Sequence, residues 1–254
     1  MNRRRRSGPV RAIAPAALAL LLVAGCWNPF QPKVLGRGVS TPPPAPNTPS
    51  NTLLLFKWAY ENRSQAEYRE LFTADYRFAF AAADTNGNQY RGDTWTRDDE
   101  IESSRKLFEG GDVTQPAASQ ITLVLDRNFK VQNDTRPDKY DPDRRKTITT
   151  QVNLTIQTID GAATNVNGKA TFFLVRGDLA DIPPDLGFSP DPNRWYIERW
   201  EDQTFAPTLA QALTARGAVP ASRSATAAAP ALGQAVGQVS WGAIKVWYRQ
   251  STPF

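Results

Sequence analysis

The sequence predicts an α+β domain in which helices precede an antiparallel sheet, followed by a separate aromatic helix at the C-terminus. Three observations carry this. Helix-forming segments with two cap signals fall between residues 53 and 111, two long stretches alternate apolar and polar residues between 121 and 156, and the chain closes on the aromatic run SWGAIKVWYRQSTPF. One apolar and one polar face along each alternating stretch is the pattern of an antiparallel sheet covered on one side.

The stretch 53–62 combines helix formers with large apolar groups, among them Leu54, Leu55, Trp58 and Ala59. Ser64-Gln65-Ala66-Glu67 reads as a capping box, in which side chains satisfy free amides at a helix start. The helix it opens carries Tyr68, Leu71 and Phe72 on one face. Residues 76–80 alternate as a strand, and Asn86-Gly87 predicts a tight turn because both residues tolerate positive φ. Thr96-Arg97-Asp98-Asp99 predicts a second helix start, with a hydroxyl for the free amides and acidic groups at the positive end of the helix dipole. That helix turns Ile101, Leu107 and Phe108 inward and stops at Gly110-Gly111.

In the first long strand Ile121, Leu123, Leu125, Phe129 and Val131 share a phase, with Arg127 among them; in the second, Ile148, Thr150, Val152, Leu154 and Ile156 do. The proline- and charge-rich stretch 134–146 is the loop between them. Asp160-Gly161 and Asn167-Gly168 bracket a further connection, and residues 170–176 and 195–200 form the last two strands. An alanine-rich linker, 206–238, leads to a C-terminal helix within 239–254, capped by Ser240. Trp241, Ile244 and Tyr248 form a stripe on that helix, with Lys245 and Arg249 beside it; the stripe docks on the domain or meets a partner or a bilayer interface.

The N-terminus is of a different kind. Four arginines follow Met1-Asn2, no acidic residue precedes Cys26, and an apolar run extends from Ala12 to Val23, interrupted by Pro15. A membrane-spanning helix needs roughly 20 apolar residues, so this shorter run reads as the middle of a secretory signal. Val23-Ala24-Gly25-Cys26 resembles the lipobox of bacterial lipoproteins. That resemblance implies cleavage before Cys26, which becomes a multiply acylated mature N-terminus, and anchoring in a bilayer; the alternative is an ordinary cleaved signal with an incidental cysteine. Twin-arginine export lacks the apolar residues expected just after the arginine pair. Trp27 stands where an aspartate would resemble an inner-membrane retention signal, which favours an outer-membrane destination. Five of the 30 basic residues lie in the signal, leaving 25 against 25 acidic ones. The mature chain is formally neutral, and its charge predicts no nucleic-acid partner. The organisation expected is a signal peptide (1–25), a proline-rich tether (26–50), one domain (51–205), the linker and the aromatic helix.

The order of elements, together with FKWAYENRSQAEYRELFTADYRFAF, FFLVRGD and WYIERWED, resembles the nuclear-transport-factor-2-like (ketosteroid-isomerase and polyketide-cyclase-like, cystatin-like) domains over about residues 51–205. The resemblance implies a curved sheet closed by helices into a cone with an inner pocket. Some relatives perform isomerisation, cyclisation, dehydration or epoxide hydrolysis there, and others keep the cone as a binding or assembly module. The fold alone decides nothing about activity.

The chain has no histidine and a single cysteine. This removes the commonest general base and, with the thiol acylated, a cysteine zinc site. No Gly-x-Ser-x-Gly elbow or phosphate-binding glycine loop is present. Catalysis would fall to carboxylates, tyrosines, lysines or arginines. Asp75, Asp84 and Asp93 are the candidate carboxylates, each with an ordinary reading as a cap, turn or connection, and Tyr76 could polarise a carbonyl. Arg127, in the inward phase, needs a partner in Glu198, Asp75 or a bound anion. Trp58, Phe78, Phe80, Phe108, Leu123 and Arg127 are expected to line the cone. Arg91-Gly92-Asp93 is too short to carry a binding function, and DTNGN and DKYDPD do not fit the glycine offset of an EF-hand. No cofactor or metal is expected. The expected role is non-catalytic binding of a small apolar ligand in the cone or of an envelope protein. The alternatives are a cone-pocket isomerase or dehydratase using a carboxylate and a tyrosine, and a scaffold with a filled cone.

Overall fold

A computed structural model describes residues 41–204, apart from 83, 85–87, 91, 93 and 112–114, together with 237–250. Cys26 and the expected signal, Asp93, the expected Asn86-Gly87 turn and most of the alanine-rich stretch lie outside the described residues.

Helix α1 (Pro49–Asn62) begins four residues before the expected stretch. Thr48 is extended and accepts the Asn51 N–H at 3.1 Å, and Pro49 stands at the first helical turn, where a missing N–H costs nothing. The start signal sits inside the proline-rich stretch and is read there as tether. The helix buries Leu53, Leu55, Phe56, Ala59 and Tyr60. It ends on Arg63 in the left-handed region (φ 51°), whose guanidinium donates to the Ala118 carbonyl at 2.7 Å. The short helix α2 (Gln65–Arg69) follows. Its expected capping box does not form, because the Ser64 hydroxyl donates to the Glu67 carboxylate rather than capping the backbone. Phe72, expected on this helix, opens strand β1 (Phe72–Ala79) instead. The Leu71 carbonyl already accepts the Ile197 N–H at 2.7 Å, so the sheet captures the chain there.

Strand β2 (Trp95–Thr96) leads directly into helix α3 (Arg97–Glu109), and here the capping box is complete between Thr96 and Asp99. Strands β3 (Ala118–Leu125), β4 (Val131–Asn133), β5 (Arg145–Thr158), β6 (Ala163–Arg176) and β7 (Trp195–Thr204) build the sheet. Strand β8 (Gly237–Gln238) and helix α4 (Trp241–Gln250) complete the described chain. The sheet order is β2-β1-β7-β6-β5-β3, with β4 also on β5 and β8 on β6.

The sheet is mixed rather than wholly antiparallel. β3, β5, β6 and β7 pair antiparallel, but β1 runs parallel to β7 and β8 parallel to β6. Hairpin connections enforce antiparallel pairing only between strands consecutive in the chain, and β1 and β7 are separated by the rest of the sheet. Asn167-Gly168 is no connection either. It lies within β6, where Gly168 (φ 149°) pairs with both Val152 and Thr204, so the real hairpin turn is at Asp160-Gly161. The first long strand is interrupted: Asp126 takes over the ladder with its side chain, accepting the Gln151 N–H at 2.9 Å while its own N–H donates to Thr150 Oγ1 at 3.0 Å. The chain bends there, and Arg127, expected inward, is exposed.

One face of the sheet and helices α1 to α4 enclose a single core. The start of α4 is held by buried polar groups. The Trp241 N–H donates to Thr204 Oγ1 at 2.8 Å, the Gly242 N–H to Asp202 Oδ2 at 2.9 Å and the Ala243 N–H to Ser240 Oγ at 2.9 Å. The Ser240 hydroxyl donates in turn to Asp84 Oδ2 at 2.6 Å. These contacts satisfy the amides a helix start leaves free and set two carboxylates at its positive end. Asp84, expected in a hairpin loop, is therefore a buried anchor. A Cβ on Gly242 would lie 2.6 Å from both Asp84 Oδ2 and Phe80 Cδ1. Gly242→Ala should lower stability by about 1–3 kcal/mol in denaturant titration, although alanine in an open helix would gain about 1 kcal/mol over glycine.

Candidate functional site

The space between the sheet and the helices is filled by side chains. Phe56 lies 5.3 Å, ring centroid to centroid, from each of Tyr60, Phe172 and Trp200. Trp241 of α4 stands edge-on to Trp200 at 4.4 Å and to Tyr60 at 5.4 Å, and its indole N–H donates to Tyr60 Oη at 3.0 Å. Phe108 meets Tyr60 and Tyr68, and Phe78 meets Phe80, Trp95 and Trp200. Edge-to-face contacts of this kind add about 0.5–1.5 kcal/mol per pair beyond the area buried.

Within these rings sits one ion pair. The Glu100 carboxylate, in the first turn of α3, faces the Lys245 ammonium of α4, and their side chains are 1% and 2% exposed. Tyr68 Oη donates to Glu100 Oε1 at 2.6 Å, and Trp95 Nε1 and Tyr76 Oη donate to Oε2 at 3.1 Å and 3.3 Å. The position at the start of α3 adds the favourable end of the helix dipole. Burial, and then the neighbouring Glu100 charge, push the phenols of Tyr68 and Tyr76 well above the usual tyrosine range, so both remain hydrogen-bond donors. Burial draws the Lys245 ammonium below the ordinary lysine range, and Glu100 opposes that shift. Lys245 Nζ also lies 4.0 Å from the Trp200 ring centroid and 4.7 Å from that of Phe78.

The expected site residues fall in several places. Phe78, Phe108 and Leu123 are buried in the packed core, while Trp58 and Phe80 are partly buried against it. Tyr76 points inward onto Glu100. Asp75 is on β1 next to Tyr76 and so faces the opposite side of the sheet, where its Oδ1 has no hydrogen-bond partner among the described residues. Arg127 is exposed and is not the partner of Glu198. Glu198 is held instead by Arg145 at 2.7 Å, Arg136 at 2.7 Å and Lys139 at 3.0 Å, and Asp134 shares Arg136. Burial raises the Glu198 carboxyl, but the hydrogen bonds from Arg145, Arg136 and Lys139 outweigh it and bring it down to about 2.

Glu100 and Lys245 were not among the expected site residues. Glu100 reads as one of three acidic residues that suit the start of a helix. Lys245 carried a signal, because it lies four residues after Trp241 and three before Tyr248, directly beside the apolar stripe. A charge in that position predicts a buried partner, but nothing in the sequence says which.

Cavities among the described residues include two at the margin of the core. One of about 110 Å³ is lined by Pro116, Ile156, Ile244, Trp247 and Tyr248 among others. The second, of about 390 Å³, is lined by Gln132, Asn133, Thr135, Thr147 and Phe173. The first is well below the roughly 300–1,000 Å³ of an ordinary ligand pocket, and the second has one aromatic residue among four polar ones, where such pockets are mostly apolar. Among the described residues no group of three or more His, Cys, Asp or Glu side chains is placed to hold a metal.

Removing one partner of a buried ion pair leaves the other uncompensated and costs about 3–5 kcal/mol. Glu100→Gln and Lys245→Met should each lower stability by that order. The double variant should lose much less than the two losses added, because it leaves no lone charge. A double-mutant cycle in urea reads the coupling directly, and additive losses would contradict the pairing.

No protein-family model and no curated protein matches the chain. Solved structures with a similar fold include a conserved protein from Planctomyces limnophilus (11% identity, 61% of this chain and 92% of that chain, TM-score 0.40). A nuclear transport factor 2-like superfamily protein from Salmonella enterica is similar at 14% identity over 62% of this chain and 88% of that one, with a TM-score of 0.40. A protein of unknown function from Mycobacterium tuberculosis is similar at 10% identity over 80% and 82% of the two chains, with a TM-score of 0.38.

Proposed function

We propose that the chain is an exported, lipid-anchored protein of a bacterial cell envelope whose domain is a non-catalytic module acting through its surface on another envelope protein. One observation carries the non-catalytic part: the interior, where the resembled domains keep a small-molecule pocket, is occupied by the chain's own Trp241 and Lys245. A carboxylate and two tyrosines do meet there, as an isomerase or dehydratase would require. They are Glu100 with Tyr68 and Tyr76, and all are fully buried and engaged with one another. Both oxygens of this carboxylate already accept hydrogen bonds from the ammonium, two phenols and an indole, so neither is placed to meet a substrate proton.

The anchor rests on the sequence around Cys26. No described helix is long and apolar enough to cross a membrane. The neutral mature chain gives the domain no general electrostatic pull to anionic lipid, so the lipid on Cys26 supplies the membrane affinity. The outer membrane is the proposed destination.

Both halves of the reading can be tested in the producing cell. Cys26→Ser should move the protein from the membrane to the soluble fraction, and unchanged fractionation would defeat the anchor. The Glu100→Gln/Lys245→Met double variant, confirmed as folded and anchored, should complement a deletion as the native protein does. Loss of complementation by that folded variant would point to chemistry at Glu100.

A further inference from the structure

Lys245 is held as a ligand is held. Its ammonium has a carboxylate on one side and lies over the rings of Trp200 and Phe78, 4.0 Å and 4.7 Å from their centroids. A carboxylate combined with aromatic faces is the chemistry by which proteins recognise organic ammonium ions, because both the charge and the ring quadrupoles favour a cation. The other groups on Glu100, the two phenols and the indole of Trp95, are neutral donors. They orient the carboxylate without neutralising it, so its charge is left for one cation.

The division of parts along the chain is equally informative. Tyr68, Tyr76, Phe78, Trp95, Glu100 and Trp200 all come from α2, β1, β2, α3 and β7, whereas the ammonium comes from α4. Glu100 and Lys245 are 145 residues apart. The receiving half of the site is thus built by the body of the domain, and the ammonium arrives on a helix from the far end of the chain. Trp241, one turn earlier on that helix, supplies the apolar part of the occupant.

We infer that the interior is an organic-ammonium recognition site which Lys245 occupies in cis, and that a small primary alkylammonium ion takes the place of its side chain when that side chain is shortened. This goes beyond the proposed surface role and does not depend on Cys26 or on any partner.

The test is replacement of the lost group in the full chain. Lys245→Ala removes three methylenes and the amine, which n-propylammonium reproduces. Thermal unfolding of this variant should shift upward, saturably, by at least about 3 °C with n-propylammonium chloride at 100 mM. 1-Propanol and sodium chloride at the same concentration should give no such shift. Lys245→Met, whose side chain fills the same volume, and Glu100→Gln/Lys245→Ala, which lacks the counter-charge, should not respond. If Lys245→Ala does not fold unaided, recovery of folded protein on refolding becomes the readout, and n-propylammonium should restore it where 1-propanol does not. Absence of any response to n-propylammonium, an equal response to 1-propanol, or an equal response of Lys245→Met would overturn the inference.

Discussion

A carboxylate buried as deeply as Glu100 must have a counter-charge, and the one it has is Lys245, from a helix at the far end of the chain. The requirement is severe because charge in a low-dielectric interior is costly to leave unmatched. It explains why a ten-residue helix, too short to be stable alone in water, is nonetheless a fixed part of the structure. Other features of α4 follow the same constraint. Its free amides meet Asp202, Thr204 and Ser240, and Gly242 gives the close approach to Asp84 and Phe80 that this docking needs. Burial pushes the Asp202 carboxyl above its usual range, against the hydrogen bonds from Thr204 and Gly242, so this anchor too depends on the helix remaining in place.

The aromatic residues supply the bulk of the energy, and the ion pair supplies the register. Trp200, Trp241, Tyr60 and Phe56 bury large areas at roughly 25 cal/mol per Å², which favours collapse without choosing one arrangement of rings. The pair fixes which turn of α4 lies over α3 and brings Trp241 against Trp200 and Tyr60. A filled interior is the physical basis for reading the domain as a binding or assembly module. The same interior also holds the parts of a cation site, and the two readings are compatible because the occupant belongs to the protein itself.

Much of the fold was legible in local patterns. The alternation at residues 148–156 gave β5, the Thr96-Asp99 box gave α3, and Ser240 gave the start of α4, because each signal acts between residues a few positions apart. What local pattern could not give was anything settled by distant pairing. The parallel alignment of β1 with β7, the use of Asp126 to interrupt a strand, and the passage of Asn167-Gly168 straight through β6 are all decided by partners elsewhere in the chain. The site shows the same division. Lys245 was visible as a charge beside an apolar stripe, whereas Glu100 was indistinguishable from its neighbours Asp98 and Asp99 until the helix was placed. Arg127 misled because its phase was extrapolated across the bend at Asp126.

The central claim is that α4 is part of the cooperative core, locked there by Glu100 and Lys245, rather than an appendage. Native-state hydrogen exchange on the intact protein tests it most directly. The account predicts that the amides of residues 243–248 exchange with the same free energy as those in the middle of β6 and β7, because α4 opens only when the domain unfolds. Rapid exchange in α4 while β6 and β7 remain protected would contradict it.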